Sequence, residues 1–298
     1  MSDVKKPNLF IAGFPKSGTS SLFDYLGQHP DVFASHRKEP HTYTIQKRYE
    51  QRYSKTANPS FLDFYKNSQE EKYIIDGSTT TMVSKDAFER IKTDTPDAKI
   101  IIIARDPIER IFSHYNWINS MGVPTFNFRK EILFWNKIKF DPDIYFKGCY
   151  KNYIEFSKYG QQIQHCIEIF PQEQLLVLFF EDLKSSPNKV LSKIFEFLDV
   201  SHCSVDIGIK NPTLLNPEYD EKKSMVRVIA DKIKSLSPRL YSNTIMHLEP
   251  MRINKVKPGE NEIKFLFSLL KEDLEVLNEL GFYSNKWATT DKIWNEHY

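Results

Sequence analysis

Asn8-Leu-Phe-Ile-Ala-Gly-Phe-Pro-Lys-Ser-Gly-Thr-Ser-Ser-Leu22 is the stretch from which the rest of the chain is read. Leu9 to Ala12 form an apolar run short enough for a buried strand. Gly13 to Gly18 close a tight loop that carries one lysine, Lys16. Thr19, Ser20 and Ser21 follow, and Leu22, Phe23, Tyr25 and Leu26 have helical spacing. Strand, glycine-bracketed loop and hydroxyl-rich helix start together make an anion cradle. The first N–H groups of a helix lack intrahelical partners, and its positive end favours a phosphate there.

The loop differs from a Walker loop in one position. That pattern places a lysine directly after its second glycine, whereas here Thr19 holds that slot and Lys16 lies inside the loop. An inward lysine reaches the far end of a shorter ligand. Pro15-Lys-Ser-Gly-Thr-Ser20, with Leu22, resembles the 5′-phosphosulfate loop of sulfotransferases that use 3′-phosphoadenosine 5′-phosphosulfate (PAPS). The resemblance implies that Lys16, Ser17, Gly18, Thr19, Ser20 and Ser21 hold the cofactor, and that no metal is required. A P-loop kinase dependent on ATP and Mg²⁺ is the rival enzyme reading. A homologue that binds nucleotide without catalysis is the non-enzyme one.

A second motif, Arg105-Asp-Pro-Ile-Glu-Arg-Ile-Phe-Ser-His-Tyr115, follows the most β-branched run, Ala98 to Ala104. Arg105 falls at the carboxyl end of that predicted strand, where open α/β sheets bind ligands. Pro107 is expected to open a helix running to about Met121. The motif is similar to the family's 3′-phosphate site, which implies that Arg105 and Ser113 hold that phosphate. Glu109 and Arg110 are expected to pair locally and hold the loop shape. Phe170-Pro-Gln-Glu-Gln, Glu181-Asp-Leu, Gly148-Cys-Tyr150 and the closing Leu280-Gly281 with Trp287 resemble the glycan-type branch. Arg252 and Lys255 fall where the family places a loop covering PAPS.

Transfer of a sulfuryl group to a hydroxyl calls for a base and for a cation at the departing phosphate. Lys16 is the natural cation. Lys38-Glu-Pro-His41 resembles the segment after the second strand in glycan sulfotransferases, which implies Glu39 as base and His41 as a supporting or alternate one. Arg37 and Lys38, with His41, are candidate acceptor-binding residues. The chain departs from heparan-type relatives at Thr44, where those often carry an acid, and at Asp76-Gly-Ser-Thr79, which lacks their substrate-binding lysine.

The remaining features bound the class. Forty per cent hydrophobic residues can fill a sizeable core, while a net charge of +2 argues against a nucleic-acid binder. The three cysteines lack C-x-x-C spacing, which fits a reducing compartment. With no signal-like apolar segment at the start, the expectation is a cytoplasmic enzyme without a membrane span. Its acceptor would be a glycan, lipid or natural product. Strands alternating with helices predict an α/β fold, a parallel β-sheet flanked by helices, in the P-loop NTPase-like sulfotransferase form. One domain over 1–298 is expected, with a core over 8–284 and acceptor-side insertions at 45–72 and 124–147. Helices are further expected at 83–92, 149–169, 187–198, 222–236 and 262–280, and a last strand at 175–180.

Overall fold

The computed structural model describes residues 5–44, 61–120, 125–138, 151–208 and 255–298. Five parallel strands form one sheet in the order β2-β3-β1-β4-β5. They are β1 (Leu9–Ile11), β2 (Val32–Ala34), β3 (Tyr73–Asp76), β4 (Lys99–Ala104) and β5 (Leu175–Phe179). β1 sits at the centre, and the loop leaving it opens between β3 and β4.

Successive residues of a strand point to opposite faces, and β4 shows why all its isoleucines are needed. Ile100 and Ile102 join one apolar cluster, with Phe10, Phe88, Ile111 and Trp287. Ile101 and Ile103 join the other, with Leu22, Leu26, Ile194 and Leu198. A strand buried on both faces reads as a continuous apolar run.

The first face carries α2 (Lys85–Asp94), α3 (Pro107–Ser120), α5 (Tyr159–Ile169) and α8 (Glu260–Glu279). α1 (Thr19–Leu26) and α7 (Pro187–Leu198) cover the second. The remaining helices are α4 (Phe128–Asn136), α6 (Phe180–Ser185) and a last one, α9 (Ala288–His297). Among the described residues no helix is long and apolar enough to cross a membrane.

Several sequence expectations shift. The helix expected from 149 begins at Tyr159, after a 3-10 turn at Glu155–Ser157. Its start is fixed from outside: the Asp273 carboxylate accepts from the Gly160 and Gln161 N–H groups at 2.9 and 2.9 Å. Gly160 is obligatory there, because a Cβ would stand 2.3 Å from the Asp273 carbonyl oxygen. The last strand stops at Phe179, and Phe180 starts α6. α8 begins at Glu260, two residues early, and Gly281 follows its end with φ 76°, the left-handed position expected after a helix. α9 lies beyond every element expected from the sequence.

The two expected insertions contribute to the packed core. Tyr65 is fully buried, and Phe128 stacks on Phe112 with centroids 4.3 Å apart. Phe126 and Phe134 of the same region are exposed. Gly148, Cys149, Tyr150 and the helix expected at 222–236 lie outside the described residues.

Candidate active site

The loop between β1 and α1 is held open by two arginines. Lys16 has φ 72° and Gly18 φ 91°, so the chain turns left-handed twice within three residues. That conformation costs a non-glycine residue about 1–2 kcal/mol, so its neighbours must enforce it. Arg105 Nη1 donates to the Lys16 carbonyl at 3.1 Å, and Arg110 Nη1 donates to the Pro15 carbonyl at 3.3 Å. Gly13 is required by close approach, as a Cβ would lie 2.6 Å from both Ile103 Cγ2 and Thr19 Cγ2.

Gly18 gives α1 no side-chain cap, and no acid occupies the first turn. The N–H groups of Thr19, Ser20 and Ser21 therefore face the loop without helical acceptors. Ser17 Oγ is fully buried and, among the described residues, has no hydrogen-bond partner of normal geometry; the Tyr159 hydroxyl is its polar neighbour.

Cations surround this point. Burial, then Arg105, then Lys255 bring the Lys16 ammonium down to about 8. Among the described residues no carboxylate forms a salt bridge with Lys16 or Arg105; Glu181, whose pKa burial raises, is the acid near enough to Arg105 to feel its charge. Lys16 Nζ lies 5.4 Å from the Trp117 ring centroid, and the Arg105 guanidinium lies 4.9 Å from that of Phe180. Ser113 is half-buried one helical turn before Trp117 on α3, so the two share a face toward Lys16. Lys255 reaches the same region because Asn116 clamps the next residue: Asn116 Nδ2 donates to the Val256 carbonyl, and the Val256 N–H to Asn116 Oδ1, each at 2.9 Å. Arg252 lies outside the described residues. Orphaned donors and unpaired cations around a buried loop fit an anionic ligand.

Glu109 and Arg110 do not pair with each other. Glu109 accepts from Thr289 Oγ1 at 2.9 Å. Arg110 is fully buried and donates to Ser157 Oγ at 2.6 Å and to the Tyr153 carbonyl, besides Pro15. Its other close neighbour is His114 Nδ1, 3.1 Å away. Burial lowers the guanidinium to about 10. The expectation that these two residues shape the loop survives for Arg110, but through backbone carbonyls. Asp106, between Arg105 and Pro107, caps two helices. Its Oδ1 accepts from the Ile108 and Glu109 N–H groups of α3, and its Oδ2 from the Thr289 and Thr290 N–H groups of α9.

The second half of the site is the segment after β2 together with the end of β3. The Glu39 carboxylate accepts from Lys38 Nζ at 2.8 Å and from Thr79 Oγ1 at 3.2 Å. Burial raises its pKa, and the opposing pull of Lys38, His41 and these hydrogen bonds outweighs it, so the group sits below the usual carboxylate value. His41 is buried at φ 60°. Its N–H donates to Ser78 Oγ, and its Nδ1 shares a hydrogen bond with Thr80 Oγ1, each at 2.9 Å. Thr44 Oγ1 extends this chain to Thr80 at 2.7 Å. Asp76 anchors the turn, accepting from the Ser78 N–H at 2.9 Å and from the Tyr65 hydroxyl at 3.0 Å. Arg37 is exposed; its Nε donates to the Glu39 carbonyl, and its guanidinium lies 5.4 Å from the Phe64 ring centroid.

The two halves meet at Lys38, which touches Thr19 of α1, Glu39 and Gly77. The structure thus gathers Lys16, Arg105 and Lys255 around the loop, with Glu39 and His41 on the arm that Lys38 ties to it, and Ser113 on the helix face that also carries Trp117. Ser78, Thr79, Thr80, Trp117 and Phe180 are not among the site residues expected from the sequence, where Ser78 and Thr79 stand only in the stretch that lacks a lysine. The run Ser78-Thr-Thr-Thr81 at the carboxyl end of a strand is the signal that could have marked three of them. Among the described residues no cluster of three His, Cys, Asp or Glu gathers to hold a metal.

Comparison with known proteins places the chain in a family. Residues 6–240 match the sulfotransferase domain family, so the chain belongs to it. A mouse protein named carbohydrate sulfotransferase 15 is 26% identical over 256 residues, covering 66% of this chain and 44% of its own length. Human heparan sulfate glucosamine 3-O-sulfotransferase 3B1 is 27% identical over 202 residues, covering 67% of this chain and 48% of its own length. The chain thus spans about half the length of these curated relatives. A crystal structure of a sulfotransferase from Alicyclobacillus acidocaldarius shares the fold, with a TM-score of 0.67 at 21% identity over 95% of this chain and 99% of that one.

Proposed function

We propose that the protein transfers the sulfuryl group of PAPS to the hydroxyl of an acceptor, with Glu39 as general base. The observation that carries this reading is the single ammonium, Lys38, that touches both the first residue of the loop helix and the Glu39 carboxylate. It sets a base beside an anion cradle whose loop lysine, Lys16, has no salt-bridged carboxylate among the described residues.

The donor substrate supplies an activated sulfur on a phosphate leaving group. Lys16 and the N–H groups of Thr19 to Ser21 hold the 5′ end, while Arg105 and Ser113 take the 3′-phosphate, with Lys255 closing over them. Glu39 accepts the acceptor's O–H proton as that oxygen bonds to sulfur. The sulfur–oxygen bond to the 5′-phosphate breaks, and its electron pair stays on the phosphate oxygen, where Lys16 offsets the charge. Holding Glu39 below the usual carboxylate value keeps it ionised at neutral pH. His41 supports the arm that carries it.

The acceptor is a glycan, lipid or natural-product hydroxyl; the carbohydrate names of the relatives favour a glycan. Arg37 is the exposed cation at the mouth. An acceptor screen with ³⁵S-labelled PAPS over glycans, lipids and phenolic metabolites tests the proposal. It predicts label on at least one acceptor class, and transfer of phosphate from ATP/Mg²⁺ instead would overturn it.

A further inference from the structure

Lys38 spends its whole hydrogen-bonding capacity inside the protein. An ammonium has three protons. Nζ donates to Thr19 Oγ1 at 3.1 Å, to Glu39 Oε1 at 2.8 Å and to the Gly77 carbonyl at 3.2 Å. The backbone returns the contact, as the Gly77 N–H donates to the Lys38 carbonyl at 3.1 Å. A Cβ on Gly77 would stand 3.1 Å from Lys38 Cγ and 3.0 Å from Phe23 Cδ2, so the bare glycine lets the two segments close. Three separate elements therefore converge on one ammonium: the start of α1, the arm after β2 and the end of β3.

We propose that Lys38 is a positioning residue of the transfer reaction rather than an acceptor ligand: it ties the Glu39 carboxylate to the first turn of α1 and aims the Thr19 hydroxyl at the donor anion. A hydroxyl has one proton and two lone pairs. Lys38 occupies the oxygen as acceptor, which leaves the Thr19 proton for a second partner. Thr19 is buried, and its own N–H already belongs to the anion-facing first turn. The carboxylate is fixed likewise. Its oxygens face Lys38 Nζ and the Thr79 hydroxyl, the imidazole of His41 lies on the same arm, and Arg37 Nε donates to the backbone carbonyl of Glu39. Burial favours the neutral acid; Lys38 is the first of the groups that oppose it. The base and the donor loop thus share one cation, and loss of it should disturb both at once.

This inference rests on the reading of Glu39 as base, and the test separates the two. The full chain is labelled with ¹³C-glutamate, and the Glu39 carboxyl resonance is assigned by its loss in Glu39→Gln. In Lys38→Met the Glu39 titration midpoint should move to higher pH, and Lys38→Arg should restore much of it. Calorimetry with 3′-phosphoadenosine 5′-phosphate (PAP) should show about tenfold weaker binding for Lys38→Met and for Thr19→Val, with the double variant little worse than either. A merely structural lysine would lower thermal stability without moving the carboxyl midpoint, and additive losses would likewise overturn the shared clamp. Lys38→Gln serves the same readouts if the methionine variant does not fold. Full transfer by Glu39→Gln in the ³⁵S assay would instead remove the base reading, whatever the Lys38 variants show.

Discussion

The loop half and the Glu39 half of the candidate site are built from different materials. Around the loop, guanidiniums hold backbone: Arg110 and Arg105 grip the carbonyls of Pro15 and Lys16, and helix N–H groups face inward. Around Glu39, side-chain hydroxyls do the holding: Ser78, Thr79, Thr80 and Thr44 link the carboxylate arm to the end of β3. Each half nonetheless carries a non-glycine residue in the left-handed region, Lys16 and His41; elsewhere among the described residues only Asp199 does so. Strain of that kind persists where surrounding contacts enforce it, and here both residues are the ones expected to serve the reaction.

The difference can be broken from either side. The largest effect belongs to the Glu39 half alone: Glu39→Gln should reduce transfer by about 10²–10⁴-fold and leave PAP binding intact, as read by the ³⁵S assay beside calorimetry. Lys16→Ala should weaken binding and slow transfer together, by about 10²–10³-fold in rate. In the native chain the same lysine gives a pH signature. Its ammonium is brought down to about 8 in the free protein, so charge is lost as pH rises through that value. PAP affinity should therefore be flat between about pH 7, where the ligand's own phosphates are already largely ionised, and about pH 8, and fall above it; an affinity that rose through pH 8 would contradict the assignment.

Arg110→Met sharpens the contrast, because it strips the loop of its buried support without touching the base. It leaves the Pro15 and Tyr153 carbonyls and Ser157 without their donor, so thermal unfolding should show a loss of about 3 kcal/mol, accompanied by weaker PAP binding. Thr290→Val is the mildest change. It removes the 2.7 Å hydrogen bond to Asp106 and should cost about 1 kcal/mol in unfolding while leaving Glu39 unaffected.

How much of this was readable in the sequence follows the same division. The loop half of the candidate site was legible because its residue types stand at fixed spacings: glycines bracketing the loop, a lysine inside it, an arginine at a strand end. β4 was legible because burial on two faces demands an unbroken isoleucine run. The hydroxyl chain was not, since serine and threonine occur in every kind of loop and acquire meaning only when β3 brings residues 78–80 against 39–41. Arg110 was placed near the loop, but its partners are carbonyls, which leave no mark in a sequence. α9 escaped notice because its start is capped from Asp106, 183 residues away at Thr289. The start of α5 was misplaced for the same reason, its cap being Asp273.

The central claim is that one site reads both ends of a 3′-phosphorylated donor, the 5′ end at the loop and the 3′ end at Arg105 and Ser113. Calorimetric titration of the native chain and of Arg105→Ala with PAP, AMP and ATP/Mg²⁺ tests it most directly. The account predicts that the native chain binds PAP far more tightly than AMP, and that Arg105→Ala abolishes most of that preference. Equal affinity for PAP and AMP, or tighter binding of ATP/Mg²⁺, would contradict it.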